Sequence, residues 1–155
     1  MSNFDQNLGK NQSNFIPLSP ITFLERAKDV YPDYEALVYR NKKYSWKQVY
    51  ERSTQFASAL EKHGIGLGDT VSILAANTPE LFEAHYSIPM TGGVINTINT
   101  RLDPHTIAYI LEHSDAKFLI VDTQFSPVTK KALDLVKKEI PIIDIVDDNA
   151  QLKEG

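Results

Sequence analysis

Val71-Ser72-Ile73-Leu74-Ala75-Ala76-Asn77-Thr78-Pro79-Glu80 is the stretch on which the fold turns. Its first part is a short, almost continuous apolar run, as expected of a strand covered on both faces. A helix start comes immediately after, with Asn or Thr at a cap, Pro in the first turn and Glu near the positive end of the helix dipole. Leu81, Phe82, Ala84 and His85 carry the helix on, and Pro89 with Gly92-Gly93 terminates or kinks it. A buried strand feeding directly into a helix opens a parallel βαβ unit.

Downstream the alternation repeats. Val94-Ile95-Asn96 predicts a minimal second strand, and Asp103-Pro104 restarts a helix whose Ile107, Ala108, Ile110 and Leu111 share a face. Lys117 to Val121 predicts a third strand. A helix from about Ser126-Pro127 carries Val128, Ala132, Leu135 and Val136 inward, and a fourth apolar run spans Ile140 to Val146.

Upstream the pattern differs. Thr22 to Tyr31 predicts a short amphipathic helix, started by Ser19-Pro20 and stopped by Pro32. Ala36 to Tyr39 and Lys43-Tyr44 flank a polar Arg40-Asn41-Lys42 turn, which predicts a hairpin. Ser45-Trp46-Lys47-Gln48 reads as a capping box opening a helix with Trp46, Val49, Tyr50, Phe56, Ala57 and Leu60 on one face, and Gly64 supplies a left-handed end. The expected fold class is therefore α/β, a doubly wound, mostly parallel sheet with helices on both faces, preceded by a helix and a β-hairpin.

The chain has 155 residues, 42% of them hydrophobic, which suits one domain with a real core. Its net charge is −4 with basic residues scattered among acidic ones, so no footprint for nucleic acid is present. With no cysteine there is no disulfide framework, thiolate metal site or thiol nucleophile. No run approaches the roughly 18 apolar residues of a membrane span, and the polar start carries no signal-peptide core, so the expected compartment is cytoplasmic. Residues 1–14, rich in Asn, Gln and Ser, are expected to form a mobile leader, 15–148 the folded part and 149–155 a tail where the chain is cut.

Several residues invite chemistry and have plainer explanations. Gly64-Ile65-Gly66-Leu67-Gly68-Asp69 lies between a helix end and a strand start, the reverse of a phosphate cradle, so it reads as a turn. His63, His85, His105 and His113 form no H-x-x-x-H pair, which favours surface or packing roles, with His85 expected near the core. Asp147-Asp148 and Asp103 read as turn or capping carboxylates, and the Lys130-Lys131 and Lys137-Lys138 pairs as a solvated helix face. In an open parallel sheet ligands bind at the carboxyl ends of strands, which here means Asn77-Thr78, Asn96-Thr97 and Asp122-Thr123, residues that capping and turn formation explain better than a site does.

The ordered set of short motifs resembles a known family. Phe23-Leu24-Glu25-Arg26-Ala27 through Tyr31-Pro32-Asp33, Tyr44-Ser45-Trp46, Gly64 to Val71, Asn77-Thr78-Pro79-Glu80, Ala84 to Val94 and Asn96 to Leu102 are similar, in this order, to the amino-terminal part of AMP-forming acyl-CoA synthetases. The similarity is collinear from about Phe15 to Val146. Asn99-Thr100-Arg101-Leu102 followed by Ile107 to His113 looks most like the medium- and long-chain fatty-acyl and methylmercaptopropionate-type CoA ligases.

The resemblance implies a two-step reaction with ATP, CoA and Mg²⁺, in which a fatty or related carboxylic acid forms an acyl-adenylate and then a thioester. It also implies that the phosphate loop, the adenine- and ribose-binding groups and the catalytic lysine lie beyond the position where this chain stops. No catalytic, cofactor-binding or metal residue is therefore expected here. The chain is expected to be an incomplete, inactive N-terminal scaffold whose partner is the remainder of the same enzyme. Such a piece should be prone to self-association through an exposed apolar patch, and a homodimer is among its expected states. The alternative is a stand-alone flavodoxin-like module binding a small ligand or another protein; a remnant regulating a full-length homologue is a third reading.

Overall fold

A computed structural model describes residues 9, 11, 15, 16 and 18–147. The expected leader over 1–14, apart from Gly9 and Asn11, and the expected tail over 149–155 lie outside the described residues, as does Asp148.

Helix α1 (Pro20–Val30) starts two residues before the expected Thr22 because the Ser19 hydroxyl accepts from the Ile21 amide at 3.2 Å and Pro20 opens the first turn. Strands β1 (Glu35–Tyr39) and β2 (Lys42–Ser45) pair antiparallel with Tyr39 opposite Lys42. Lys42 thus belongs to the strand, and the turn is the two residues Arg40-Asn41, with Arg40 at φ 56°.

Helix α2 (Trp46–Lys62) carries the expected capping box: the Ser45 hydroxyl accepts from the Gln48 amide, and the Gln48 side chain accepts from the Ser45 amide. Val49, Ser53, Ala57 and Leu60 are its buried stripe. At its far end Gly64 (φ 83°) donates to Glu61 and Ile65 donates back to Leu60, closing a Schellman motif sealed by the buried Leu60 and Ile65. Ser45→Ala should cost about 1 kcal/mol, within the roughly 0.5–2 typical of lost caps, read as a shift in the urea midpoint. No measurable loss would mean the box is ornamental.

Four strands form the main sheet: β3 (Thr70–Leu74), β4 (Val94–Thr97), β5 (Phe118–Asp122) and β6 (Ile142–Ile145). All are parallel, in the order β4-β3-β5-β6. Helices α3 (Pro79–Met90), α4 (Pro104–His113) and α5 (Ser126–Leu133) make the crossovers. Side chains alternate between two cores. Val71, Ile73, Phe118 and Ile120 pack with Leu60, Ala84 and Ile88 from α2 and α3. Leu74, Leu119 and Val121 pack on the other face with Ile107, Leu111 and Ala132 from α4 and α5. The doubly wound arrangement arises from strands that are apolar on both faces.

Helix α3 runs through Pro89 to Met90 and ends just before Gly92, within the Pro89 to Gly93 stretch expected to terminate or kink it; Gly92 has φ 81°, and a Cβ there would lie 3.1 Å from the Leu67 backbone. One detail differs from the sequence reading. Helix α5 ends at Leu133, so Leu135, expected to face inward, is 44% exposed, while Val136 does reach the core.

Candidate functional site at the strand carboxyl ends

The chain leaves β3 for α3 over one face of the sheet and leaves the adjacent β5 for α5 over the other. The two crossovers diverge, so the switch point of the sheet lies between the carboxyl ends of β3 and β5. Asn77-Thr78 and Asp122-Thr123 occupy those ends.

Thr78 is the N-cap residue of α3, yet its hydroxyl makes no capping bond and is buried without a partner. Asn77 is exposed. Asp122 is wholly buried, and its carboxylate is already engaged: one oxygen accepts from the Gln124 amide at 3.2 Å and the other from the Gln124 side chain at 2.7 Å, capping a 3-10 turn. Asn96-Thr97 does not join them. The Asn96 amide donates to Ser72 at 2.9 Å and to Ser114 at 3.2 Å, tying β4 to β3 and to the end of α4, while Thr97 is exposed.

Beside the switch point a cavity of about 250 Å³ is lined by Leu37, Asn77, Thr78, Leu81, Phe82 and His85. His85 is exposed rather than near the core, and its Nδ1 donates to the Leu81 carbonyl at 2.8 Å. The inward face of α3 instead carries Glu83, Ala84, Ser87 and Ile88. Two of these are polar, which is why apolar spacing placed the face wrongly.

Glu83 is the residue that sequence reasoning missed. Arg52 on α2 grips it with two hydrogen bonds, from Nε and, at 3.0 Å, from a terminal nitrogen; the guanidinium also lies 3.8 Å from Glu80 and 4.8 Å from the centre of the Tyr44 ring. The Glu83 side chain is 5% exposed and that of Arg52 37%. Burial pushes the Glu83 carboxyl up although Arg52 pulls it down, and the same bond pushes the guanidinium up. Burial governs the carboxylate because its partner is the half of the pair that still meets water. The partners are 31 positions apart, so no local pattern announces them.

The other candidates have structural partners. Asp103 caps α4, and hydrogen bonds from the Thr106 hydroxyl and then its amide hold the carboxyl below its ordinary range. Asp147 accepts from the Tyr39 hydroxyl at 2.7 Å. Lys138 pairs with Asp115 at 2.5 Å, and the Lys137 amide donates to Glu112. His63 packs on Phe118, His113 stacks on Tyr109, and the His105 amide bonds Asp103. Gly64–Asp69 is the helix end and turn described above, with Asp69 accepting from the Gly66 amide. Among the described residues no three His, Asp or Glu side chains gather as metal ligands, and no glycine-rich loop leads from a strand into a helix N-terminus.

A family model described as "AMP-binding enzyme" matches residues 24–155. The chain is 41% identical over 149 residues to the acetate–CoA ligase CCL3 of Humulus lupulus, covering 92% of this chain and 26% of that protein. It is 45% identical over 130 residues to the peroxisomal butyrate–CoA ligase AAE11 of Arabidopsis thaliana, covering 84% and 23%. The structure is similar to that of the anthranilate CoA ligase AuaEII in complex with anthranoyl-AMP, with a TM-score of 0.77, 27% identity, and 81% of this chain and 24% of that one covered. It is also similar to O-succinylbenzoate coenzyme A synthetase from Bacillus subtilis in complex with ATP and magnesium ion, with a TM-score of 0.68, 27% identity, and 79% and 32% covered. The chain spans about a quarter of the length of the curated relatives it matches.

Proposed function

This chain belongs to the AMP-binding enzyme family, and from that premise we propose that it is the N-terminal scaffold of an ATP-dependent, AMP-forming ligase that joins a carboxylic acid to coenzyme A. In the reaction a carboxylate oxygen attacks the α-phosphorus of ATP and pyrophosphate leaves. The thiol of CoA then attacks the acyl carbon, and AMP leaves as the thioester forms.

The observation that carries this reading is 45% identity along 130 residues to a ligase named for butyrate, with ligases named for acetate, cinnamate and benzoate alongside. Within that range of acids we favour a fatty acid, because Asn99-Thr100-Arg101-Leu102 followed by Ile107 to His113 resembles the medium- and long-chain fatty-acyl CoA ligases. The relatives do not favour a stand-alone flavodoxin-like module. Among the described residues no helix is long and apolar enough to cross a membrane. We place the protein in the cytoplasm, although several relatives carry "peroxisomal" in their names.

The scaffold's own part is positional. Among its switch-point side chains Asp122 caps the 3-10 turn, while the Thr78 hydroxyl is buried with no hydrogen-bond partner. The chain by itself should give no ATP–pyrophosphate exchange above background with butyrate or octanoate. Exchange that saturates with either acid would overturn the scaffold assignment.

A further inference from the structure

Thr78 is 4% exposed, and its hydroxyl is buried with no hydrogen-bond partner, a state that costs folding free energy. The helix mouth where it stands is equally unsatisfied. No side chain caps α3, Pro79 has no N–H, and the Phe82 amide already donates to the Thr78 carbonyl, which leaves the Glu80 and Leu81 amides for an outside acceptor. Thr78 also lines the cavity of about 250 Å³ beside the switch point. The lining residues Thr78, Leu81, Phe82 and His85 recur at three- and four-residue steps, so they share one face of α3 about 10 Å long. Leu37 of β1 completes the wall. It follows the register irregularity between Glu35 and Leu37, a bulge of the kind that re-aims a side chain.

We propose that this cavity binds a small carboxylate with a flat apolar body, its charged end accepting from the Thr78 hydroxyl and the Glu80 and Leu81 amides and its body lying against Leu37, Leu81 and Phe82. The inference stands on this chain's own residues and goes beyond the scaffold reading, which needs no ligand here. Three features select the occupant. One hydroxyl and two amides at the positive end of the α3 dipole favour an anion over a cation. The acidic residue of that first turn, Glu80, lies 3.8 Å from the Arg52 guanidinium, so a cation from α2 offsets it. The volume is about eight times the roughly 30 Å³ of one water, and Leu37, Leu81 and Phe82 give water few partners, so solvent alone is a poor occupant. A phosphate, polar all round, would leave those apolar walls unused. Phe82, packed against Tyr86 with 5.4 Å between ring centres, is held in place to meet a flat body.

The test titrates sodium benzoate into the isotope-labelled 155-residue chain and follows its amide shifts by NMR. The Leu37, Glu80 and Leu81 amides should shift together and saturate, half complete at about 1 mM, a modest affinity for a ligand of this size. Thr78→Val removes the hydroxyl and keeps the bulk. It should bind benzoate about ten-fold more weakly, while its thermal midpoint stays level with the parent's or rises, because the lost hydroxyl has no bond to give up. Ser53→Ala, which removes another buried, unpartnered hydroxyl, on α2, should bind like the parent. Benzylammonium, similar in shape and opposite in charge, should give no saturating shift at these amides. The site assignment falls if benzoate gives no saturation, if Thr78→Val binds like the parent or melts earlier, if Ser53→Ala weakens binding as much, or if benzylammonium saturates like benzoate. The scaffold reading stands in each of those cases, since it is tested by pyrophosphate exchange.

Discussion

Ile120→Ala will cost about 3–5 kcal/mol of folding free energy, at the upper end of the roughly 2–5 typical for such core truncations. Ile120 is 1% exposed, sits in the inner strand β5 and has Ile73 and Ile143 as register partners on either side. It packs in one core with Val71, Ile73, Phe118 and Ile88, and truncating it leaves a void among them. Against a total stability on the order of 5–15 kcal/mol, that loss is a large share. Urea unfolding should show the midpoint falling with the slope unchanged. Ile142→Ala one strand away, at a position 44% exposed, should cost under about 1 kcal/mol. Equal penalties at the two positions would contradict the placement of β5 inside and β6 at the edge.

Arg52→Met is expected to cost about 2–3 kcal/mol at pH 7. Breaking one side of a buried ion pair costs roughly 3–5, because it strands the other charge; the lower figure reflects an Arg52 side chain that is 37% exposed, so water already screens part of the interaction. The penalty should depend on pH. Burial already pushes the Glu83 carboxyl up in the folded state, and removing the guanidinium takes away what pulls it down. An acid with a raised folded-state pKa binds protons more tightly folded than unfolded, so stability rises as pH falls through that value toward the unfolded one near 4.5. The Arg52→Met penalty should therefore shrink between pH 7 and about pH 4.5. Adding Glu83→Gln should recover part of it at pH 7, since a neutral amide is less costly to bury than an unpaired carboxylate. A penalty that stays flat with pH would mean that the carboxylate keeps its charge by finding other donors.

Local grammar makes most of the architecture legible in the sequence. The Ser45–Gln48 box, the Gly64 helix end and the Asn77-Thr78-Pro79 start each act within four residues, and each stands where its spacing puts it. Continuous apolar runs at β3 and β5 likewise announce strands covered on both faces. Sequence reading goes wrong where apolar spacing or chain position is the only guide. Glu83 and Ser87 face inward on α3 because Arg52 and the helix's own Glu83 carbonyl satisfy them, and apolar spacing anticipates neither. Leu135 reads as helical because its apolar spacing continues past the point where α5 stops. Asn96 groups with the strand-end residues by position, yet Ser72 and Ser114 draw its amide across the sheet. Absolute strand order, and with it the switch point between β3 and β5, depends on pairing that no single segment encodes.

The order β4-β3-β5-β6 also bears on how the molecule is made. β3 leaves the ribosome ahead of both its neighbours, and its Val71 waits for Phe118, 47 positions later, to complete the second ladder. At about 5–20 residues per second that interval is roughly 2–9 s, during which a nascent chain holds a greasy, half-zipped strand in the open. Slowing synthesis between β4 and β5 should therefore raise the fraction captured by trigger-type chaperones or lost to aggregates, long before any defect would show in the finished protein.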